Sequence, residues 1–295
     1  MSLFIYMLLV ILWWNAPGAF KPNVNDPFRS YGHTFSRLRE ADSVTDIDIL
    51  FIGSSHSYRG FDTRIFERNG LATFNLGSGA QTPMQTKILL SRYLDKMSPK
   101  KIIYEIYPGT LSLDGLESTL DIIANDKVDY LSFLLGFKQF NIRSTNMLIY
   151  SIYRTLTSDF ERLEEPDIKG KDKYISGGYV EKELRFFKKV NYPSQNWQLN
   201  SEKLFVVDEI VDLANQCGIE TVFVFAPITE SLYNSYCNNN RIDSVFKNKK
   251  EKYFNFNILL NLDDSLHFYD AHHLNQNGVE MFNEALIDML NSKGM

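Results

Sequence analysis

Cysteine is nearly absent from this chain: Cys217 and Cys237 are the only two. Two thiols build neither a disulfide framework nor a cysteine-based metal centre, and one bridge or two free thiols both remain open. Positive charge is not in excess either. Lys and Arg number 31 against 36 Asp and Glu, a net charge of −5, and the two signs are interspersed without a basic stripe. A nucleic-acid partner is therefore not expected. No internal repeat or low-complexity tract is present. Long hydrophobic runs are missing as well. The longest unbroken one, "LFIYMLLVILWW" at 3–14, falls short of the roughly 20 residues a membrane span needs.

That run still has a meaning. Twelve apolar residues followed by "NAPGAF" fit the roughly 7–15 of a signal-peptide core, although no Lys or Arg precedes them. We expect residues 1–20 to be a signal peptide or short signal-anchor, with the true start further upstream, and residues 21–295 to form one domain. A buried apolar helix is the competing reading. The expectation places the body outside the cytoplasm, in the cell envelope (periplasmic or membrane-anchored) or secreted, with membrane attachment through residues 3–14.

With 44% hydrophobic and 14% aromatic residues over 295 positions, the chain can bury a sizeable core. Beyond residue 45 strands and helices alternate. "DIDILFIG" (46–53), "ATFNLG" (72–77), "KIIYEIYPG" (101–109) and "IETVFVFAP" (219–227) read as short strands buried on both faces, and "FNILLNL" (256–262) as a fifth. Helices are expected over 82–97, 201–218 and 275–294. The alternation predicts an α/β fold, three-layer α/β/α around a mostly parallel five-stranded sheet. Sites in such folds form at the carboxyl ends of the strands, the edge that would hold Ser55, Ala80 and Tyr107. Residues about 111–200 break the rhythm and read as a helical insertion over that edge.

Two motifs carry chemistry. In "FIGSSHSYRG" Ser55 sits where a strand hands over to a helix, where free N–H groups and the helix dipole favour a developing anion. In "YDAHHLNQNG" Asp270 and His273 are three apart, a spacing that lets the carboxylate hold Nδ1 of the imidazole and leave Nε2 free for a serine proton. Each motif alone is common, and a capping serine or a surface histidine explains it. Together, at matching ends of an α/β pattern, they point to acyl transfer. His56 would be turned about 100° from Ser55 on a helix. His272 is disfavoured by the Asp270 spacing, and a metal cluster of His267, His272 and His273 is not expected.

At these residues the chain resembles the SGNH (GDSL-type) hydrolase superfamily, whose fold is flavodoxin-like. "FIGSSHSYRG" is similar to its first block, "NLGSGAQT" (75–82) to its second and "YDAHHLNQNG" to its last. The likeness covers about 46–110 and 201–290. It implies Ser55 as nucleophile, His273 as base and Asp270 as the acid behind it. The oxyanion hole would be made by the N–H groups of Ser55 and Ala80. Ala80 stands where the family has Gly, and Gly79 is the neighbour expected to take any awkward backbone angles. The third block lacks its usual Asn, since Gly109 falls there. One missing donor costs about 10²–10³ in rate, unless Tyr107 or the insertion replaces it. Ser54 replaces the family Asp of the first block. Tyr107, Arg59 and Gln81 are candidate substrate contacts, and Tyr174, Tyr179, Phe186, Phe187 and Trp197 are aromatics that either stack on sugar rings or belong to the core.

The resemblance implies a serine esterase without metal or organic cofactor. It further implies a short-chain (O-acetyl) ester as substrate, an acylated carbohydrate at the cell surface or a small ester. A polysaccharide O-acetyltransferase with the same three residues is one alternative; a non-catalytic carbohydrate-binding or scaffold module is another.

Overall fold

The architecture was examined in a computed structural model that describes residues 2–16, 32–157 and 162–292. The boundary expected at residues 20 and 21 lies outside them. The expected three-layer fold is present. Strands β1 (Ile49–Ile52), β2 (Thr73–Asn75) and β3 (Lys101–Glu105) form half of a five-stranded sheet. Strands β7 (Glu220–Phe225) and β8 (Lys252–Asn255) complete it in the order β2-β1-β3-β7-β8, every pair parallel. This is the flavodoxin-like order, whose direction reverses between β1 and β3 and opens a crevice at their carboxyl ends.

Side chains alternate across the sheet, as the pleat requires. Leu50, Ile52, Ile102, Tyr104, Phe223 and Phe225 join one core, packed by helices α5 (Pro83–Met97) and α9 (Ser201–Gln216). Ile49, Phe51, Ile103, Val222 and Val224 face the other core. There, α4 (Thr63–Arg68) and the closing helix α11 (Gln276–Ser292) supply Ile65, Phe66, Phe282 and Leu286. Apolar residues at both parities explain why each strand reads as an unbroken apolar run.

Two expectations are corrected. The fifth strand is Lys252–Asn255, not 256–262. The Asn255 side chain accepts from the Asn257 N–H and caps a single helical turn, Phe256–Leu259, so the apolar run begins where the strand ends. The insertion is also not wholly helical. Helices α6 (Leu116–Asn125), α7 (Tyr130–Lys138) and α8 (Ile142–Leu156) are followed by an antiparallel sheet of β4 (Ile168–Lys169), β5 (Asp172–Ile175) and β6 (Tyr179–Lys182). Gly177 and Gly178, both with φ near +88°, turn β5 into β6, a backbone conformation that other residues adopt at a cost. From there the chain crosses the carboxyl edge of the large sheet in extended form. The Phe187 N–H bonds the Phe268 carbonyl, and Gln195 bridges to Tyr236.

At the other end, Leu3–Trp14 is a helix, α1, that docks on α8 through one side only. Trp14 stacks on Tyr150 with ring centroids 4.9 Å apart, and the Tyr6 hydroxyl bonds Asn146. No described helix is long and apolar enough to cross a membrane. Cys217 and Cys237 are free thiols, both exposed.

Candidate active site

β1 delivers the chain to the site through Gly53, whose φ of +140° is denied to other residues and whose missing Cβ would sit 2.8 Å from Glu105 atoms. Ser54 then caps helix α3 (Ser55–Gly60), its hydroxyl accepting the His56 N–H. Ser55 is thereby the first helical residue, at the carboxyl end of β1 and beside the reversal of strand order.

The last block comes to meet it. Ser55 Oγ lies 2.8 Å from His273 Nε2, and His273 Nδ1 lies 3.0 Å from both carboxylate oxygens of Asp270. Asp270 Oδ1 also accepts the backbone N–H groups of His272 and His273, both at 2.8 Å, which fixes the turn that carries the base. Burial pushes the Asp270 carboxyl up. The hydrogen bond and charge of His273, with the two backbone donors, outweigh burial and hold it well below the usual carboxylate range. An ionised Asp270 accepts the Nδ1 proton, and Nε2 is left bare for the serine hydroxyl.

His273 has two ring neighbours. Its ring stacks on Tyr269 at 5.5 Å and 6°, and on His56 at 4.9 Å and 27°. The far face of His56 stacks on Tyr107 at 4.1 Å. Burial, followed by the neighbouring charges of His273 and His272, depresses the His56 pKa well below its ordinary value. A neutral ring therefore faces His273. His56 Nδ1 lies 3.1 Å from Ser54 Oγ, which in turn donates to Glu105 Oε2 at 2.9 Å. With Glu105 ionised, the donation from Ser54 leaves its oxygen to accept from His56 Nδ1. Burial raises the Glu105 pKa to about 7 against the pull of the two Ser54 donors.

His56, Glu105 and Tyr269 were missed in the sequence. The helical offset argued against direct contact between His56 and Ser55, and it did not exclude the ring lying over the base. Ser54, which stands where the family has Asp, is the link between His56 and Glu105.

The other expected residues fall differently. Arg59 is buried and makes a bidentate ion pair with Asp172 at 2.8 and 3.2 Å, and Asp172 also takes Lys182 at 2.7 Å. It ties α3 to the insertion sheet and is not presented to substrate. Gln81 is consumed in the same way, accepting from Ser78 Oγ at 2.8 Å and donating to Thr86 Oγ1 at 2.9 Å. Ser78 reaches Ser118 of α6 at 3.0 Å, so the second block is pinned to the insertion. Ala80 itself, and not Gly79, takes the left-handed conformation, with φ +50°. Tyr107 packs into the wall of the site, its hydroxyl 3.1 Å from His272 Nδ1, which also accounts for the direction of the His272 ring. His267 turns away from the other histidines, its Nδ1 accepting the Asp263 N–H. Of the insertion aromatics, Tyr174 bonds Glu40, Tyr179 and Trp197 are buried, and Phe187 packs on the core; Phe186 alone of the five is exposed.

No protein-family profile matches this sequence, and no curated protein matches it. Two solved structures are similar in outline. One is described as a "putative acylhydrolase" from Bacteroides fragilis, 10% identical, with a TM-score of 0.46, covering 90% of this chain and 99% of that one. The second is a GDSL-like lipase from Bacteroides thetaiotaomicron, 12% identical, with a TM-score of 0.44, covering 90% of this chain and all of that one. Likeness at that level carries nothing about the chemistry of this site, which rests on its own geometry.

Proposed function

We propose that this protein is a serine esterase of SGNH type that cleaves short acyl esters. The observation that carries the reading is the unbroken hydrogen-bonded line from Ser55 Oγ through His273 to Asp270. In the proposed reaction Ser55 gives its proton to His273 Nε2 as Oγ bonds the acyl carbon. The oxyanion is held by the N–H groups of Ser55 and Ala80. Collapse breaks the ester C–O bond, and His273 returns the proton to the leaving alcohol. Water, deprotonated by His273, then releases the carboxylic acid and restores Ser55. The imidazolium formed twice in the cycle lies against the neutral rings of His56 and Tyr269, an arrangement that favours the cation.

Openness of the site favours hydrolysis over transfer. The Asp270 side chain is 44% exposed and that of His273 18%, so solvent reaches the base that would activate water. The substrate class, an O-acetylated carbohydrate outside the cytoplasm, rests on the resemblance of the sequence blocks. The test is acetate release from an acetylated polysaccharide alongside a para-nitrophenyl ester series. Acetate release from the glycan and a preference for acetyl over octanoyl esters are expected. Octanoyl preference would overturn the short-acyl assignment, and an inert glycan beside active small esters would overturn the carbohydrate.

A further inference from the structure

Many of the large apolar side chains that this fold leaves in solvent belong to α1 and to α7 and α8, while others, such as Phe205, Ile258 and Leu259, are exposed elsewhere. α1 contains no charged residue. While Val10 and Trp14 are buried, Leu3, Phe4, Leu8 and Trp13 remain exposed. Tyr6 meets Asn146 and Trp14 meets Tyr150, so α1 and α8 run in the same direction. The first turn of α1 therefore lies at the start of α8, beside the corner that joins α7 to α8. That corner exposes Phe137 by 78%, Phe140 by 83% and Ile142 by 68%. An open apolar trough of about 610 Å³ runs beside them, lined by Tyr130, Phe133, Leu134 and Leu148.

Charge decides what fits. Residues 130–157 include Lys138, Arg143 and Arg154 and not one Asp or Glu, in a chain whose acids outnumber its bases. Lys138 and Arg143 are exposed and alternate with Phe137, Phe140 and Ile142. The acids that precede this segment, Asp126 and Asp129, are both engaged by Arg92. Protein interfaces deplete Lys at their apolar centres. Exposed aromatics interleaved with basic residues are instead the pattern of segments that lie in the boundary of an anionic bilayer. α1, about 18 Å long at 1.5 Å per residue, is too short for the roughly 30 Å hydrocarbon core.

We propose that the α7–α8 corner and the exposed side of α1 together form a docking face for an anionic lipid surface. Phe137, Phe140 and Ile142 enter the acyl boundary, and Lys138 and Arg143 meet headgroup phosphates. This extends the attachment expected of residues 3–14 to a face built from two parts of the fold, and it does not depend on the esterase reading.

The experiment is flotation of the full chain with phosphatidylcholine vesicles, with and without phosphatidylglycerol. Binding is expected to require phosphatidylglycerol. The double change Phe137→Ser with Phe140→Ser should weaken it by about tenfold or more, since each buried aromatic is worth more than 1 kcal/mol. Lys138→Glu with Arg143→Glu should weaken it about tenfold or more through charge alone, at about 1 kcal/mol per basic residue. All four positions are exposed, so matching thermal melts would verify folding. Wild-type protein that floats with neither vesicle would overturn the proposal, as would variants that float as well as wild type. A dimer that the Phe changes turn to monomer, with no vesicle binding, would assign the face to a second copy of the chain.

Discussion

His56 stacks on His273 with ring centroids 4.9 Å apart and planes inclined by 27°, and Tyr269 stacks on the same ring at 5.5 Å and 6°. The base is thus packed on two rings while Asp270 holds its edge. Stacked pairs are worth about 0.5–1.5 kcal/mol each. His56→Ala should lower kcat about tenfold with KM little changed, because the lost contact matters most when His273 is cationic. His56→Phe keeps the ring and should restore most of the rate. Steady-state kinetics on para-nitrophenyl acetate separate the two, and an equal loss in both variants would show that the bond to Ser54, not the ring, is what counts.

Asp270→Asn should reduce kcat by about 10³–10⁴, since an amide no longer selects the tautomer with Nε2 bare. Asp270 also holds two backbone N–H groups that Asn can still satisfy through its carbonyl. The variant should therefore still fold, with a lower melting temperature because the charge-assisted bonds to Asp270 are lost, and a cooperative melt beside a collapsed rate checks both statements.

Glu105 gives a pH dependence whose sign follows from burial. Its folded pKa of about 7 stands above the ordinary 4.5, so the folded state keeps a proton that the unfolded chain releases. Stability is full below about pH 4.5, declines as pH rises through about 7, and is level beyond. Glu105→Gln keeps an acceptor for Ser54 and carries no charge. Its denaturant midpoint should be higher than wild type at about pH 8 and close to it at about pH 4.5. A parallel decline in both proteins would contradict the assignment.

Ala80, at φ +50°, stands in a conformation that costs an L-residue roughly 1–2 kcal/mol. Ala80→Gly relieves that strain and adds unfolded-chain entropy of about 0.4–1 kcal/mol, so stability should be unchanged or rise by up to about 1.6 kcal/mol, with activity retained. Ala80→Val cannot adopt the angle without moving the backbone N–H. A loss of about 10²-fold in kcat is expected, the size of one oxyanion donor.

The sheet was legible because strands covered on both faces must be short, apolar at both parities and closed by turn residues, as at Ile49–Ile52 followed by Gly53. Ser55, Asp270 and His273 were legible because a nucleophile and its base sit at fixed points of the chain relative to strand and helix ends. What escaped notice depended on distant partners. Nothing near Arg59 announces Asp172, 113 positions away. β4–β6 escaped because their strands are two to four residues long and mix charged with apolar residues. β8 escaped because Lys252–Asn255 is an edge strand with little apolar signal beside a stronger run that Asn255 turns into helix.

The most direct test is the intact mass of the protein after a fluorophosphonate probe, with Ser55→Ala and His273→Ala run in parallel. One adduct on wild type, none on Ser55→Ala and much slower labelling of His273→Ala is the result this account predicts. Well-folded wild-type protein that takes no adduct, with a site as open as Asp270 and His273 are here, would contradict an activated Ser55.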